Sequence, residues 1–412
     1  MFTSLRSLLG AFGRTLSLMN PDIQRHHERT AYVAYQIVRA MELGQDALFY
    51  TTNAALMHEI GCAVLDNARE TLTTREGRKR IAKAGAYMLR DMEEFQTVAD
   101  IIEISQDNYA ECLARGADGD LLDIAQAIRL ADFVSAALRE DVPALNQVKG
   151  IVEAVTRLRG VEFSPKVTDA FLAVSKRECM WMDAALNPSF LMNFTGPIRE
   201  VSLDKLVIFT RFMSRIIDFR SPFTAMHSAG VAATARELAR LAGMSEEEIQ
   251  MIAVAGNLHD VGKVRVPNAI LEKPGGLTEE EFNAVKEHAY YTRIILKDVE
   301  GFEKIADWAA FHHEKLNGEG YPFHLNGGKL DTGSRIMAVA DIFAAITETR
   351  PYRVGMGRER AMAVLEGYVS RGEICGRVVG LLREHYDEVD AIREKESRTV
   401  GRRYYESLEL AK

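Results

Sequence analysis

The chain has 412 residues, with 51 Lys and Arg against 59 Asp and Glu, and a formal net charge of −8. A hydrophobic content of 47% excludes wholesale disorder, and 10 prolines are too few for an all-β fold to be expected. The slightly acidic balance argues against binding to DNA. At about 150 residues per domain, this length predicts two or three domains.

The cysteines and the N-terminal residues indicate the cellular environment. The 4 cysteines are scattered without C-x-x-C spacing, which argues against a disulfide framework and against a thiolate zinc site. Gly10, Gly13 and Arg14 interrupt the first apolar stretch, so it makes a poor signal peptide. No uncharged apolar run reaches the length of about 18 residues that a membrane span needs. We therefore expect a cytoplasmic protein without a membrane partner.

The two halves of the chain repeat one pattern of motifs. His26 and His58 are 32 residues apart, and so are His227 and His259, which places the second pair 201 residues after the first. Similar residues surround the second histidine of each pair. One such match could arise by chance between two helical domains.

The repeat continues along the chain in the same order. The segment 128–138 resembles the segment 336–346, which aligns Asp132 with Asp341. The offset between the halves increases only slowly, as a few loop insertions would produce. An ordered series of matches therefore indicates a duplication.

The duplication predicts two copies of one helical domain. The first copy spans residues 1–186, and the residues 187–200 form a linker rich in helix breakers. The second copy spans residues 201–390 and is expected to be the catalytic domain. The charged C-terminal tail, 391–412, is expected to be one more surface helix.

Helix signals are clear in the second copy. The segment 231–241 has apolar residues at the spacing of one helix face. Ser245 followed by Glu248, and Thr278 followed by Glu281, are capping-box patterns that predict the first residues of two further helices.

The second copy also contains an ordered set of potential metal ligands. In chain order these are His227, His259, Asp260, His288, His312, His313 and Asp341. A single histidine is more often structural than a ligand, but so many imidazoles and carboxylates would be costly to bury together without a metal. Ligands of this kind suit Fe or Mn above all, with Zn, Ni, Co or Mg as alternatives. Because seven ligands exceed the needs of one ion, we predict two divalent metal ions.

The motifs around these ligands resemble the HD-GYP family. The matching stretches are His259-Asp260-Val261-Gly262-Lys263, His312-His313-Glu314, Gly320-Tyr321-Pro322 and Arg350-Pro351-Tyr352-Arg353. The resemblance covers about residues 222–382. It implies an all-α fold with two tandem HD-type domains, the second of them an HD-GYP domain. The family consists of HD metallophosphohydrolases that hydrolyse the bacterial second messenger cyclic di-GMP.

The resemblance also implies a role for each matching residue. One metal would be held by His227, His259, Asp260 and Asp341. The second would be held by Asp260, His288, His312 and His313, with Asp260 as the bridging catalytic ligand. A hydroxide between the metals would attack the phosphorus. Substrate contacts would come from Lys263, Arg350 and Arg353, which would neutralise the phosphate, and from Tyr321 in the GYP loop.

The expected reaction is hydrolysis of cyclic di-GMP to linear pGpG or GMP. Some family members bind a third metal through a glutamate where this chain has Phe223, so we expect two metals. Asn317 and Ala344 replace common aspartates, which leaves a preference for 3',3'-cyclic GMP-AMP open. A non-catalytic receptor that contacts a protein partner through the GYP loop, and a general nucleotide phosphohydrolase, are further alternatives.

The first copy retains only part of this pattern. Gly85 corresponds to His288, and Ser105-Gln106 corresponds to the His-His pair. We therefore predict a degenerate domain with a structural or regulatory role, which includes the formation of a homodimer. The alternative is a single metal, with His27 as a substitute for the first ligand, on the residues that persist, which are His26, His58, Glu59 and Asp132.

Overall fold

The structure is a computed structural model that describes residues 3–4, 7–8, 11, 15, 21–64, 71–90, 92–186, 200–218, 222–271, 273, 275–349 and 354–411. These residues form mainly α-helices, which confirms the predicted all-α class. A short antiparallel strand pair joins β1 (Thr3–Ser4) to β2 (Glu200–Val201). Within the described residues, no helix is both long and apolar enough to cross a membrane.

Contacts divide the chain into two compact units. The first unit contains residues 20–199 and 407–412, and the second contains residues 1–19 and 200–406. The division near residue 200 lies close to the predicted break between the copies. The first copy was predicted to begin at residue 1, whereas residues 1–19 group with the second unit. Most of the expected linker, residues 187–199, lies outside the described part of the chain.

The first unit consists of consecutive helices. In chain order, α1–α9 are Pro21–Ala40, Gln45–Met57, Arg75–Leu89, Gln96–Ile104, Tyr109–Ala114, Gly119–Ala137, Ala144–Arg157, Pro165–Val174 and Glu178–Leu186. A short 3-10 helix, Ile60–Val64, follows α2, and another, Glu93–Phe95, precedes α4.

The second unit repeats this arrangement after one additional helix. In chain order, α10–α19 are Leu203–Asp218, Pro222–Leu241, Glu246–Leu258, Asn268–Leu271, Glu279–Leu296, Glu303–Ala310, Thr332–Thr347, Arg358–Ser370, Gly376–Glu384 and Tyr386–Ala411. The 3-10 helix Val261–Arg265 follows α12.

The same pairs of elements pack together in each unit. Helix α1 packs on α2 and α6, and α11 likewise packs on α12 and α16. The 3-10 helix Ile60–Val64 packs on α3, and Val261–Arg265 packs on α14. This shared packing agrees with the duplication inferred from the sequence.

Both predicted capping boxes are present and define the helices that carry the site. The Ser245 side chain accepts a hydrogen bond from the backbone of Glu248, whose carboxylate accepts one from the Ser245 backbone. Thr278 and Glu281 make the same reciprocal pair at the start of α14. Each box satisfies backbone N–H groups that the first helical turn leaves free.

The residues after 390 continue a packed helix. The predicted boundary at residue 390 falls inside α19, and residues up to 406 group with the second unit. Val389 and Val400 are buried, and the Ser397 hydroxyl donates a hydrogen bond to the Met226 carbonyl oxygen at 2.9 Å. The sequence analysis expected a surface helix over residues 391–412, whereas this helix begins at Tyr386 and buries apolar residues on one face.

Candidate metal centre

All seven predicted metal ligands come together in the second unit. His227 lies on α11, His288 on α14 and Asp341 on α16. His259 and Asp260 directly follow α12, whereas the His312-His313 pair follows α15 after one intervening residue, Phe311. Six of the seven residues are buried, and only His313 is partly exposed.

Three of these residues form one group of potential ligands. The ligand atoms of His227, His259 and Asp341 lie within 4.8 Å of one another. Oδ1 of Asp341 is 3.0 Å from Nε2 of His227 and 3.8 Å from Nε2 of His259. The spacing of these atoms would allow one cation to contact all three residues.

A second group lies on the other side of Asp260. The potential ligand atoms of His288, His312 and His313 also lie within 4.8 Å of one another. Oδ1 of Asp260 is 3.5 Å from Nε2 of His288 and 4.0 Å from Nε2 of His312. The other oxygen, Oδ2, is 3.2 Å from Nε2 of His259. Asp260 therefore lies between the two groups, where a bridging ligand is expected.

Local backbone contacts orient three of the histidines. Nδ1 of His259 lies 2.8 Å from the carbonyl oxygen of the residue three positions earlier, and His288 and His312 make the same contact at 2.5 and 2.6 Å. A proton on Nδ1 would be donated to this carbonyl and would leave the Nε2 lone pair directed into the cluster. The helical spacing thus fixes which ring nitrogen is available to a metal.

Two buried polar atoms in the cluster support a metal site. Nε2 of His259 and Oδ1 of Asp260 have no hydrogen-bond partner among the described residues. Leaving such a group unsatisfied costs about 1–3 kcal/mol. A divalent cation would satisfy both atoms, and imidazole and carboxylate are suitable donors for it.

The electrostatics of the cluster also favour cation binding. Burial lowers the pKa of His288 to about 3 and the pKa of His313 to about 4, despite nearby carboxylates. Both imidazoles are therefore neutral, the form that binds metals. Burial alone would raise the pKa of Asp260. The electrostatic attraction of His259 and Lys263 outweighs this effect and holds the pKa of Asp260 well below its ordinary value.

Glu348, which was not predicted from the sequence, is buried beside His227. Its Oε2 lies 3.6 Å from Nδ1 of His227, on the ring edge opposite the nitrogen that faces Asp341. Burial would lower the pKa of His227, but the hydrogen bond with Asp341 and the nearby Glu348 carboxylate outweigh it and raise the pKa to about 9. A carboxylate in this position orients a metal-binding imidazole. A metal at Nε2 would displace the proton there.

The predicted substrate-binding residues are only partly described. Nζ of Lys263 is 2.5 Å from Oδ2 of Asp260. The Tyr321 ring lies next to the His313 ring, with 4.7 Å between their centroids. Arg350 and Arg353 lie outside the described residues, so their predicted contacts with phosphate remain predictions.

The GYP loop is held by Glu314, a residue of the His-His-Glu motif to which the sequence assigned no role. The buried Glu314 carboxylate accepts hydrogen bonds from the backbone N–H groups of Phe323 and Leu325, both at 2.7 Å. A Cβ at Gly320 would lie 2.5 Å from Cα of Glu314, so this close approach requires glycine. The loop that carries Tyr321 is therefore anchored next to the cluster.

We expect the Glu314→Gln substitution to loosen this loop. The amide retains one acceptor oxygen, but its NH2 group would face one of the two backbone donors. Leaving that donor unsatisfied should lower the free energy of unfolding by about 1–3 kcal/mol. Chemical denaturation measures this loss. The exposed Glu319, whose backbone N–H bonds to Asn317 Oδ1, is a control site, because Glu319→Gln should change stability by less than about 0.5 kcal/mol. Equal stability of the two variants would contradict the anchoring role.

The departures at Asn317 and Ala344 lie outside the cluster. Asn317 is exposed, and its side chain accepts a hydrogen bond within the turn that precedes Gly320. Ala344 is buried in α16, one turn after Asp341. Neither departure removes a predicted ligand.

Comparisons with known proteins place this centre in a family. Residues 211–374 match the HD domain family. The 3'3'-cGAMP-specific phosphodiesterase 1 of Vibrio cholerae serotype O1 is 28% identical over 401 residues, which cover 92% of this chain and 91% of that protein. The 3'3'-cGAMP-specific phosphodiesterase 3 of the same organism is 28% identical, with 88% and 90% covered.

Other relatives match a shorter part of the chain. A cyclic di-GMP phosphodiesterase response regulator of Xanthomonas campestris pv. campestris is 36% identical over 164 residues, which cover 39% of this chain and 43% of that protein. A crystal structure of a cyclic GMP-AMP specific phosphodiesterase of V. cholerae covers 94% of this chain and 98% of its own, with a TM-score of 0.61 and 22% identity, and shares the fold. With the HD motif and the histidine cluster, these matches show a metal-dependent phosphodiesterase whose second unit carries an HD domain and resembles the HD-GYP family.

Proposed function

We propose that this chain hydrolyses 3',3'-cyclic GMP-AMP at a centre of two divalent metal ions. One observation carries the choice of substrate: two of the three relatives named for this substrate match about nine tenths of the chain, across both units, and the third matches 49% of it. Relatives named as cyclic di-GMP phosphodiesterases match between 28% and 47% of the chain. Cyclic di-GMP was the first expectation from the sequence, and the comparisons support the alternative better.

The geometry of the centre supports hydrolysis of a phosphodiester. Two groups of ligands share Asp260, so two bound cations would lie close enough to act on one phosphate. Such ions, with Fe or Mn as our first candidates, supply positive charge for both the attacking and the leaving oxygen. The carboxylate of Asp260 would fix their separation.

Residues at the edge of the cluster would bind and orient the substrate. The Lys263 ammonium group is partly exposed beside Asp260, where it can neutralise a phosphate oxygen. Tyr321 offers an aromatic face next to the partly exposed His313, where a nucleobase can stack. We propose that Arg350 and Arg353 add forked hydrogen bonds to the second phosphate.

The test is a comparison of substrates with metal-quantified, full-length protein. Protein loaded with Fe(II) or Mn(II) receives 3',3'-cyclic GMP-AMP, cyclic di-GMP or linear pGpG in separate reactions. We expect kcat/KM for the hybrid dinucleotide to exceed that for cyclic di-GMP by about tenfold or more, which corresponds to about 1.4 kcal/mol. Faster turnover of cyclic di-GMP would overturn the choice of substrate. Tight binding without turnover would favour a receptor, and faster turnover of nucleoside monophosphates would favour a general phosphohydrolase.

Metal removal is expected to abolish the hydrolysis reversibly. Dialysis against a chelator should remove at least about 99% of the activity, because no described cation other than Lys263 contacts the Asp260 carboxylate. Restoring Mn(II) should restore the rate, whereas Ca(II), which prefers more numerous oxygen ligands, should not. Undiminished activity in metal-free protein, verified by elemental analysis, would contradict the proposed centre.

A further inference from the structure

The first unit repeats one half of the metal centre in three dimensions. Potential ligand atoms of His26, His58 and Glu59 lie within 4.8 Å of one another, and Asp132 adjoins them. Oδ1 of Asp132 is 3.1 Å from Nε2 of His26 and 3.7 Å from Nε2 of His58. The equivalent distances around Asp341 in the second unit are 3.0 and 3.8 Å. The two sets of donors therefore have nearly the same geometry.

The orientations of the rings are also repeated. The centroids of His26 and His58 are 5.4 Å apart with a tilt of 52°, compared with 5.6 Å and 62° for His227 and His259. Nδ1 of His58 lies 2.7 Å from the carbonyl oxygen of Ala55, so that Nε2 faces the carboxylates. This arrangement is the one that orients His259 towards its cluster.

Neighbouring side chains hold the remaining donors in place. The Ser135 hydroxyl donates to the His26 carbonyl oxygen and lies 3.0 Å from Nδ1 of His26, so it can accept the ring proton there. Nε2 of His27 lies 2.9 Å from Oε2 of Glu59. His27 therefore orients the glutamate and does not replace His26 as a ligand. Partners of this kind fix ligand orientation in metal sites.

A buried atom in this cluster also lacks a partner. Nε2 of His58 is fully buried and has no hydrogen bond to the described residues. The other donors are open on one side, since the side chains of His26, Glu59 and Asp132 are 21%, 11% and 15% exposed. A cation could enter from that side and satisfy the His58 nitrogen.

The position equivalent to the second metal is closed in the first unit. Gln106 replaces a histidine of the His-His pair, and its amide donates a hydrogen bond to Oδ2 of Asp132 at 3.2 Å. Gly85 replaces His288, and a Cβ there would lie 2.8 Å from Cγ2 of Ile60. The Ser105 hydroxyl donates to the Ile102 carbonyl oxygen. These residues leave one group of ligands instead of two.

We propose that the first unit binds one divalent transition-metal ion through His26, His58, Glu59 and Asp132. Two imidazoles and two carboxylates are suitable ligands for Mn(II), Fe(II), Co(II), Ni(II) or Zn(II). The chain then carries a mononuclear site in the first unit in addition to the centre of the second unit.

Cobalt binding to the full chain tests this site independently of hydrolysis. In a background that carries His227→Gln, Asp260→Asn and His288→Gln, we expect about one tightly bound Co(II) per chain, with the visible absorption of cobalt on nitrogen ligands. Adding Glu59→Gln, which retains the size of the side chain, should weaken that binding by at least about tenfold to 100-fold. Adding Asp123→Asn is the matched control, since this buried carboxylate pairs with Lys166 and should leave cobalt binding unchanged.

The stability of the variants keeps the test interpretable. Circular dichroism and metal-free thermal unfolding should show that the Glu59→Gln protein is folded, and Co(II) should raise the unfolding temperature of the Asp123→Asn protein but not of the Glu59→Gln protein. A separate variant adds His26→Gln to the background in place of Glu59→Gln. This change removes a partly exposed ligand and should weaken cobalt binding to the same extent. No bound cobalt in the background protein, or equal binding after Glu59→Gln, would overturn the site. Either result leaves the proposed hydrolysis in the second unit unaffected.

Discussion

Replacing Asp260 by asparagine is expected to abolish hydrolysis and to release metal. The two oxygens of Asp260 face both groups of histidines, with Oδ1 towards His288 at 3.5 Å and Oδ2 towards His259 at 3.2 Å. Asp341 reaches the second group only at His313, at 3.8 Å. Asparagine keeps the size of the side chain, but it is neutral and has one acceptor oxygen, so it cannot bridge two cations. We expect kcat/KM to fall on the order of 10³-fold, which is about 4 kcal/mol of transition-state stabilisation.

The measurement combines kinetics with metal analysis of the same protein sample. Asp307→Asn is the matched control, because Asp307 lies in the same unit but forms a half-exposed ion pair with Arg293. The control should retain its metals and nearly all of its activity. If the Asp260→Asn protein keeps more than about a tenth of the wild-type kcat/KM, Asp260 is not the shared ligand.

Replacing Gly262 by alanine is expected to disrupt both stability and activity. A Cβ at this position would lie 2.0 Å from the carbonyl oxygen of His288 and 2.7 Å from the backbone nitrogen of Thr292. Both neighbours are backbone atoms of α14, so the methyl group can fit only if the helix moves away from the HD motif. The hydrogen bond from the Gly262 N–H to Oγ1 of Thr292, at 3.0 Å, would be strained at the same time.

The expected losses follow from this movement. Overpacking of this kind should lower the free energy of unfolding by about 3 kcal/mol. The displacement of His288 should lower kcat/KM by about 10²-fold, because a shift of about 1 Å at a reacting centre has an effect of that size.

A matched glycine substitution separates this clash from helix propensity. Gly380 lies in α18 of the same unit, and a Cβ there would meet no atom within 4 Å. Gly380→Ala should therefore raise the free energy of unfolding by about 0.5–1 kcal/mol and leave kcat/KM unchanged. Denaturant unfolding and steady-state kinetics on both variants provide the comparison. If the Gly262→Ala protein behaves like the Gly380→Ala protein, the close approach at Gly262 has no functional importance.

The residues that the sequence identified share one property. His259 with Asp260, and His312 with His313, lie in short motifs whose residue types and spacing are recognisable without coordinates. The repeat at an offset of 201 residues likewise depends only on the order of residues. The capping boxes at Ser245 and Thr278 depend only on residues three positions apart. Local chemistry determines all of these features.

The residues that the sequence missed depend on packing between distant elements. Glu348 follows His227 by 121 residues, and only the packing of α11 on α16 brings its carboxylate to the imidazole. The role of Glu314 depends on the path of the GYP loop, which returns to its side chain nine residues later. No periodicity marks either residue, because a single buried carboxylate has no repeating neighbour.

The sequence by itself therefore determined the all-α class, the two tandem copies, the family resemblance and the seven candidate ligands. Composition, helical spacing and short motifs are properties of neighbouring residues, which explains why no coordinates were needed. Only the tertiary structure gave the distances from the two Asp260 oxygens to the two ligand groups, and the hydrogen bond by which the Gln106 amide contacts Asp132 in the first copy. These distinctions depend on distances of a few ångströms between helices far apart in the chain. Side-chain packing sets those distances, and no local pattern encodes them.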